Sequence, residues 1–459
     1  MAVRFFKFSF KDIGRYSPFL RSIFVLMTGT ALSQAILLAI LPLLTRIYSP
    51  SDFSVLALYS SIISIGAVAG CLRFDIALPL PKNDADAALL LMMALGASVL
   101  SSSVVALVLI VLNSMMPHWF HRLDFAWIIP VGMCIISTYS ALQFWMTRKR
   151  MFGVIASTRM TQAASGSAVQ VGFGLYAGTS FGLVVGYVLS SGAGVIRLLT
   201  RFLRDDRHLL TGATRSAFHK VFKEYSAYPK FSTIEAIANI GAVQLPLLVI
   251  GLTVAGGEAG YLILALRVVQ APLALIGNSV AQVFIATAGA EQEKGELKAF
   301  TLKILTGLAK TGVGPLAFLG VVSPSLVELV FGSGWGRAGE LISWMTLWLI
   351  LQFLVSPISM SLYICRRERA ALALQLSGLI LRVGSVSFAC MFFIDSVSEI
   401  YAVSGAAFYA IYLAVVLQAV GIRLGELVKS LRDSSLIIGS WIGAALLVVV
   451  AIHYGGIDG

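Results

Sequence analysis

Long apolar segments alternate with short polar ones along most of this chain. A membrane-crossing helix needs about 20 mostly apolar residues, and windows of that length predict thirteen spans. They lie near residues 20–45, 53–72, 86–112, 126–147, 153–176, 179–200, 228–253, 259–289, 302–322, 338–363, 371–393, 397–421 and 435–453. The connections are too short for a separate soluble domain. The pattern therefore predicts an all-α polytopic membrane protein.

The composition supports this interpretation. Apolar residues make up 58% of the 459 residues and charged residues only 12%, about half the charged fraction of an ordinary globular domain. These values exclude a soluble enzyme, a disulfide scaffold and a disordered chain. The four cysteines lie in or at the edges of spans, without metal-ligand spacing. We therefore expect buried apolar cysteines and no metal site.

The net charge of +12 is unevenly distributed. With the N-terminus placed inside and the spans alternating, 25 of the 34 Lys and Arg residues fall in inside segments. Only Arg46, Arg122 and Arg337 fall in outside loops. Because inside loops are enriched in Lys and Arg, we predict a cytoplasmic N-terminus, with an odd span count placing the C-terminus outside. The basic excess therefore indicates topology, and no nucleic-acid partner is expected.

Two phrases indicate an internal repeat. Leu41-Pro42-Leu43-Leu44 and Leu245-Pro246-Leu247-Leu248 precede spans 2 and 8, so six helices separate equivalent positions. An even separation gives both halves the same orientation, as in parallel transporter repeats related by an axis along the membrane normal. Pro42 and Pro246 are predicted hinges, either bends that move during transport or passive kinks.

The repeat predicts two six-helix lobes related by a pseudo-two-fold axis, which rock in alternating access. The predicted parts are a cytoplasmic segment 1–19, an N-lobe 20–200, an inter-lobe loop 201–227, a C-lobe 228–421 and a C-terminal part 422–459 with the extra span 435–453.

Six cations lie inside the spans, where a charge is costly and indicates function. Arg197 and Lys230 lie near the inner surface and are expected to snorkel, whereas Arg382 lies ~18 Å deep at 1.5 Å per residue. Since Arg forks match phosphate oxygens, we predict a cationic cleft for a phosphate or diphosphate group. Its predicted residues are Arg159, Arg267, Lys310 and Arg382 with the polar Gln270, Asn278 and Asn239. Ordinary interhelical hydrogen bonding is the alternative for the polar residues.

Acidic residues are scarce in the spans. Glu235 lies two turns into span 7, and Asp75 lies at the cytoplasmic edge of span 2. Each could pair with an arginine or bind a coupling H⁺ or Na⁺. The chain carries no P-loop, H-E-x-x-H or G-x-S-x-G motif, so neither enzymatic activity nor a cofactor is expected.

Several phrases resemble a known family. The segment 44–53, LTRIYSPSDF, resembles the "R-x-Y-S-P-x-D-F-G" link of bacterial polysaccharide-repeat flippases, and 72–79, LRFDIALP, resembles their segment after the second helix. Ala259-Gly260-Tyr261 with Arg267, Pro272 and Gln282 resembles their eighth-helix pattern, and 331–339 with Ser356-Pro357 resembles their tenth-helix region. Two departures are Ser54, where glycine is usual, and the thirteenth span.

The resemblance implies a flippase of the multidrug/oligosaccharidyl-lipid/polysaccharide exporter superfamily. Such a protein moves undecaprenyl-diphosphate-linked oligosaccharide, as in O-antigen synthesis, from the cytoplasmic to the periplasmic leaflet of the bacterial inner membrane. Arg46 is implied at the outer end, and Arg73 and Asp75 at the cytoplasmic mouth. The implied partners are membrane lipid, a polysaccharide polymerase and a chain-length regulator.

Three other functions remain as alternatives. One is a peptidoglycan lipid-precursor flippase. A drug/cation antiporter would require buried acids rather than buried arginines, and a polymerase or glycosyltransferase would require a large periplasmic loop or a carboxylate cluster. The sequence does not specify the sugar, the coupling ion or the oligomeric state.

Overall fold

The structure is a computed structural model that describes residues 18–115, 124–211, 214–432 and 434–454. The predicted loop cation Arg122 and most of the N-terminal segment 1–19 lie outside these residues. The side chain of Asn278, a predicted cleft residue, also lies outside the described part.

The described residues form helices joined by short turns. The first half contains α1 (Pro18–Ile47), α2 (Pro50–Gly70), α3 (Phe74–Ala77), α4 (Asp84–Met115), α5 (Ile128–Arg148), α6 (Phe152–Ala177), α7 (Ser180–Gly192), α8 (Val195–Asp205) and α9 (Arg215–Glu224). The second half contains α10 (Thr233–Thr253), α11 (Glu258–Glu293), α12 (Leu297–Leu308), α13 (Gly314–Phe331), α14 (Gly336–Val355), α15 (Ser361–Ile364), α16 (Glu368–Phe392), α17 (Val397–Val420), α18 (Leu424–Arg432) and α19 (Ser435–Tyr454).

Eleven helical segments within the described residues are long and apolar enough to cross a membrane. The two remaining predicted spans, 153–176 and 259–289, coincide with α6 and α11, which are helical throughout. The prediction of an all-α, multi-span membrane protein is therefore confirmed.

The predicted span 179–200 is divided into α7 and α8 near Gly194. A Cβ atom at Gly194 would lie 2.7 Å from Cε2 of Tyr139 and 3.0 Å from Cβ of Thr158. The glycine therefore allows this turn to pack against α5 and α6, a close approach that the hydropathy pattern does not reveal.

Two π-helical turns interrupt the regular helices, at Tyr228–Ser232 before α10 and at Ala309–Val313 between α12 and α13. The second turn contains Gly312, whose Cβ position is occupied by the ring of Phe353. π-turns are rare in proteins, and those that occur are often found at functional sites. This turn contains Lys310, one of the predicted cleft residues.

The chain divides into two compact units. The first comprises Met1–Ile40, Ile63–Phe173 and Val184–Ala236, and the second comprises Leu41–Ile62, Gly174–Leu183 and Ile237–Gly459. In the first core Trp145 meets Phe202 edge to face at 5.2 Å. In the second, Phe284 stacks on Phe300 at 5.6 Å. The lobe boundaries given by the sequence, 20–200 and 228–421, stay a prediction.

The predicted polar loop 201–227 is largely folded. Thr214 caps α9 by accepting a 3.2 Å hydrogen bond from the amide of Ala217. Upstream, Asp206 accepts a 2.9 Å hydrogen bond from Nε1 of Trp145 and pairs with Lys149 at 3.2 Å. Burial alone would lower the pKa of Lys149, but its bonds to Asp84 and Asp206 outweigh burial and raise it. These contacts anchor the segment to the end of α5.

The predicted thirteenth span forms α19 and packs on α13. Trp441 meets Phe318 edge to face at 5.7 Å. A Cβ atom at Gly314 would collide with the indole of Trp441, so glycine permits this contact. The side of the membrane on which the C-terminus lies stays a prediction.

Candidate functional site

Arg159 on α6 lies at a close approach of two helices in the first unit. Its Nη1 donates a 2.6 Å hydrogen bond to Oγ1 of Thr30 on α1. A Cβ atom at Gly29 would lie 2.7 Å from Cβ of Ala156, so the helices nearly touch one turn away. The residue is half-buried.

Two neighbouring positions of α6, Gln162 and Gly166, pack against adjacent helical segments. Gln162 donates a 3.1 Å hydrogen bond to the carbonyl of Ser191 and is 4% exposed. The Cβ position of Gly166 lies 2.7 Å from the carbonyl oxygen of Gly186. Ordinary interhelical packing and hydrogen bonding, the alternative given for the polar residues, therefore accounts for these two positions. Arg159 is only half-buried.

The second unit contains the remaining predicted cations. Arg267 on α11 is half-buried, and Gln270 one turn further is exposed. Asn239 on α10 is exposed, and Lys310 is exposed on the π-turn. The packing of Gly312 against Phe353 fixes that turn, so Lys310 occupies a defined position rather than a frayed helix end.

Arg382 on α16 is buried, with 2% exposure. Its guanidinium carbon lies 5.0 Å from the ring centroid of Trp348, 4.6 Å from that of Phe408 and 5.2 Å from that of Tyr409. Depth in the span predicts burial, but the aromatic partners come from α14 and α17. Only tertiary packing brings them to the arginine.

The predicted cytoplasmic mouth contains a buried carboxylate in the first unit. Asp75 is 3% exposed, and its Oδ2 accepts a 2.7 Å hydrogen bond from Oγ of Ser140. Its Oδ1 has no hydrogen-bond partner among the described residues. Leu72 and Arg73 adopt left-handed backbone conformations, with φ of 48° and 57°. This strained turn ends α2 and starts α3, on which Asp75 lies.

The remaining predicted residues are spread over several helices. Glu235 near the start of α10 is exposed, and so is Arg46 in the last turn of α1. Pro42 lies inside α1 and Pro246 inside α10, and both helices continue through their prolines. The predicted hinge function of the prolines stays a prediction.

The motif between α1 and α2 forms a helix cap. Ser49 Oγ accepts from the amide of Asp52 at 3.3 Å, and Asp52 Oδ2 accepts from the amide of Ser49 at 3.0 Å. This is a reciprocal capping box with Pro50 in the first turn. Burial, and then the charge of Asp52, raise the pKa of the neighbouring Tyr48 to about 12.

Three of the motif phrases meet at one place in the second unit. The amide of Gly260 donates a 2.9 Å hydrogen bond to Oγ of Ser54, and a Cβ atom at Gly260 would collide with the Pro50 carbonyl oxygen. Nε1 of Trp335 donates a 3.0 Å hydrogen bond to the carbonyl of Thr45. We call the set Thr45, Ser54, Gly260 and Trp335 the interlock. The motif phrases that contain these residues were recognisable in the sequence, but the contact between them was not.

Arg337 is the second residue of α14 and forms ion pairs with three carboxylates. It pairs with Glu258 at 3.0 Å, Glu340 at 3.0 Å and Glu399 at 2.6 Å. The sequence indicated only a topological charge here, because Glu258 and Glu399 lie on α11 and α17, far from Arg337 in the chain. The group joins the starts of α11, α14 and α17 beside the interlock residue Trp335.

These positions can be placed in a known family. A sequence model described as "Polysaccharide biosynthesis protein" matches residues 43–340, well over half of the chain. The chain belongs to this polysaccharide biosynthesis family. The matched range includes the interlock, Asp75, Arg159, Arg267 and Lys310 but ends before Arg382. No curated protein matches the sequence.

Solved structures show the fold of this family member. "Lipid II flippase MurJ, inward closed conformation" is 13% identical, with a TM-score of 0.70, covering 94% of this chain and 97% of that chain. "Crystal structure of MATE in the bent conformation" is 12% identical, with a TM-score of 0.50, covering 92% and 96%. The chain therefore shares the fold of these two proteins. The family match confirms the resemblance to polysaccharide-synthesis proteins that the sequence phrases indicate.

Proposed function

We propose that this membrane protein flips an undecaprenyl-diphosphate-linked oligosaccharide from the cytoplasmic to the periplasmic leaflet of the bacterial inner membrane. The family match over residues 43–340 is the observation that carries the proposal, because it connects the chain to polysaccharide biosynthesis. The fold shared with a lipid II flippase over nearly the full length supports a translocation step. Alternating access is the mechanism that parallel repeats support.

We propose that Arg159 in the first unit, and Arg267 and Lys310 in the second, each contact the diphosphate during the transport cycle. Each lies in a predicted span, and none of the three residues is fully buried. An ionisable residue within a membrane span indicates function. Arginine binds phosphate oxygens bidentately, and lysine adds a compact point charge. Arg382 is left out of this set because its guanidinium is enclosed by aromatic rings.

The sugar is held by neutral polar side chains. Gln270 and Asn239 are exposed in the second unit, and Asn278 follows Gln270 on the same helix by sequence. Amides both donate to and accept from sugar hydroxyls. The lipid tail stays in the bilayer, and Pro42 and Pro246 supply the bends by which α1 and α10 adjust.

The interlock acts as the outer gate. Under the predicted topology its residues lie at the outer ends of their helices, near Arg46. Its hydrogen bonds tie the link after α1 to the starts of α11 and α14. Loosening these contacts opens the outer end, while Arg73 and Asp75 border the cytoplasmic mouth.

An ion gradient drives the cycle through an acid in the spans. Asp75 is favoured over Glu235 because it is buried and has one unpartnered oxygen among the described contacts, whereas Glu235 is exposed. The coupling ion is H⁺ or Na⁺.

Leaflet-resolved analysis of lipid-linked oligosaccharide in a strain lacking the protein tests the function. Accumulation on the cytoplasmic face supports flipping, whereas accumulation on the periplasmic face indicates a polymerase and would overturn the proposal. The second candidate is a peptidoglycan lipid-precursor flippase, which the similarity to a lipid II flippase favours. In that case the peptidoglycan precursor accumulates instead of the oligosaccharide.

A further inference from the structure

Two helix ends of the chain carry an arginine in a left-handed backbone conformation. Arg150 follows α5 with a φ of 55°, and Arg366 follows α15 with a φ of 54°. Both residues are exposed. Arg150 belongs to the first unit and Arg366 to the second. Because they follow the predicted spans 4 and 10, six spans separate them, which is the spacing of the predicted repeat.

The same pair of backbone hydrogen bonds closes both turns. The amide of Arg150 donates to the carbonyl of Thr147 at 3.0 Å, and the amide of Met151 donates to the carbonyl of Met146 at 2.9 Å. The equivalent bonds at Arg366, over three and over five residues, measure 3.0 Å and 2.7 Å. This pair of bonds defines a Schellman helix end, whose left-handed position is usually a glycine. A residue with a Cβ atom is strained there.

Two other helix ends on the same predicted side of the membrane show the unstrained form of this motif. Gly295 follows α11 with a φ of 76°, and Gly421 follows α17 with a φ of 78°. Their paired hydrogen bonds measure 3.1 Å and 2.8 Å at Gly295, and 3.3 Å and 2.9 Å at Gly421. A cation lies close to each glycine, Lys294 in the first case and Arg423 in the second. The charge bias of the cytoplasmic side and the attraction of a cation to a helix C-terminus are therefore both satisfied without strain.

Neighbouring cations also supply this charge at the two arginine turns. Arg148 and Lys149 precede Arg150, and both form ion pairs with a carboxylate. Arg367 follows Arg366 directly and is exposed. A glycine at either left-handed position would therefore remove the strain and leave a basic turn. Strained residues are concentrated at functional sites, so the side chains of Arg150 and Arg366 are the part of these turns that the strain preserves.

We infer that Arg150 and Arg366 each bind the phosphate group of a membrane lipid. A guanidinium matches phosphate oxygens with paired donors, and both arginines directly follow predicted spans, at the depth of the lipid headgroups. The hydrogen bonds of each turn fix the backbone, so less freedom is lost when the phosphate binds. An anionic phospholipid and the lipid-linked diphosphate both carry this group. The choice of the diphosphate rests on the proposed function, whereas the phosphate contact itself does not.

Glycine substitution tests the strain. Arg366→Gly and Arg367→Gly each remove one exposed arginine, but Arg367 has an ordinary φ of −108°. Glycine relieves the left-handed conformation at position 366, whereas at position 367 it only adds freedom to the unfolded chain. We expect the purified Arg366→Gly protein to melt at a higher temperature than Arg367→Gly. An equal or lower melting temperature would show that Arg366 is not strained and would overturn the inference.

Arginine footprinting of the wild-type protein tests the phosphate contact at each residue. The full-length protein in an uncharged maltoside detergent is treated with phenylglyoxal, which modifies accessible arginines, and peptide mass spectrometry gives the rate at each position. Undecaprenyl diphosphate and phosphatidylglycerol are added in separate arms. Modification of Arg150 and Arg366 should slow about tenfold at a lipid concentration roughly ten times its Kd, because only the unoccupied arginine reacts. Arg423, which is exposed beside the glycine turn, should react at an unchanged rate.

The two arms distinguish the source of the phosphate. Protection by undecaprenyl diphosphate at the lower concentration identifies the lipid-linked diphosphate as the ligand, and protection by phosphatidylglycerol at an equal or lower concentration identifies the bulk phospholipid. Absence of protection by both lipids, or equal protection of Arg423, overturns the inference. Neither footprinting nor melting depends on flipping, so failure of the proposed function leaves both results unaffected.

Discussion

The indole Nε1 of Trp335 donates a 3.0 Å hydrogen bond to the backbone carbonyl of Thr45, 290 residues earlier in the chain. The bond is buried, and the same indole meets Phe53 edge to face at 4.9 Å and Tyr261 at 5.8 Å. One tryptophan thus contacts the last turn of α1 and the first turns of α2 and α11. If the interlock is the outer gate, as proposed, this hydrogen bond has to break when the gate opens.

Trp335→Phe removes this donor and keeps an aromatic ring. The carbonyl of Thr45 then lacks its partner, and leaving a buried group unsatisfied costs about 1–3 kcal/mol. We expect a lower melting temperature in detergent and faster amide exchange at the end of α1. Trp441→Phe, which removes an indole elsewhere, serves as the control. Equal exchange in both variants would exclude a tie between α1 and α14 through this bond.

Gly260→Ala tests the close approach at the interlock. The added Cβ would collide with the carbonyl oxygen of Pro50, and backbone cannot move aside as a side chain does. Overpacking of this kind costs about 1–3 kcal/mol. We expect separation of α11 from the α1–α2 link and reduced oligosaccharide export. Gly289→Ala lies on the same helix with no atom within 4 Å, and it should export normally.

Single substitutions of the proposed headgroup cations should each reduce flipping. Arg159→Ala, Arg267→Ala and Lys310→Ala each remove one charge that is proposed to contact the diphosphate, and a charge-assisted contact is worth about 1.5–3 kcal/mol. Flipping in vesicles at limiting lipid substrate should fall roughly tenfold or more. Arg201→Ala removes a cation that pairs with Asp205 at the surface and serves as the control. Normal flipping in all three variants would refute the headgroup assignment.

Asp75→Asn tests ion coupling. The amide keeps the size of the side chain but cannot bind or release the coupling ion. We expect flipping by wild-type vesicles to fall when the H⁺ or Na⁺ gradient is collapsed, and flipping by Asp75→Asn to be low and gradient-independent. Asp395→Asn, an exposed control, should behave as the wild type. Retained gradient dependence in both Asp75→Asn and Glu235→Gln would remove these acids from the mechanism.

The attachment of α18 should depend on pH. Lys298 pairs with Glu426 at 2.8 Å, and this hydrogen bond, followed by that from the Arg423 amide, lowers the pKa of Glu426. A lowered carboxyl pKa stabilises the folded contact above the ordinary value of about 4.3, and the effect is lost as pH falls through the folded-state value.

A spin label at the exposed position Val428 reports this attachment. Its mobility should rise on acidification, and Lys298→Gln should shift the rise to higher pH. Lys294→Gln removes a lysine that pairs within its own segment, with Glu291, and should leave the transition unchanged. Identical transitions in all three proteins would show that the Lys298–Glu426 pair does not hold α18.

The membrane-spanning helices could be predicted from the sequence because they depend on residues that are close together in the chain. Twenty apolar residues in a row require a helix in a membrane, since every backbone group must be bonded within its own segment. The cap at Ser49 and Asp52 likewise depends on residues three apart. The break at Gly194 was missed because it depends on Tyr139 and Thr158, which only packing brings close.

By itself the sequence determined the helical spans, the membrane class and the family resemblance. Hydropathy, charge bias and short motifs are each defined by short stretches of residues, so they can be identified without knowing how the chain folds. Only the tertiary structure decided which polar groups meet. It placed Trp335 against Thr45, gathered three carboxylates around Arg337 and enclosed Arg382 in aromatic rings. Those contacts join residues far apart in the chain, and their energies depend on burial and distance, which exist only after the helices have packed.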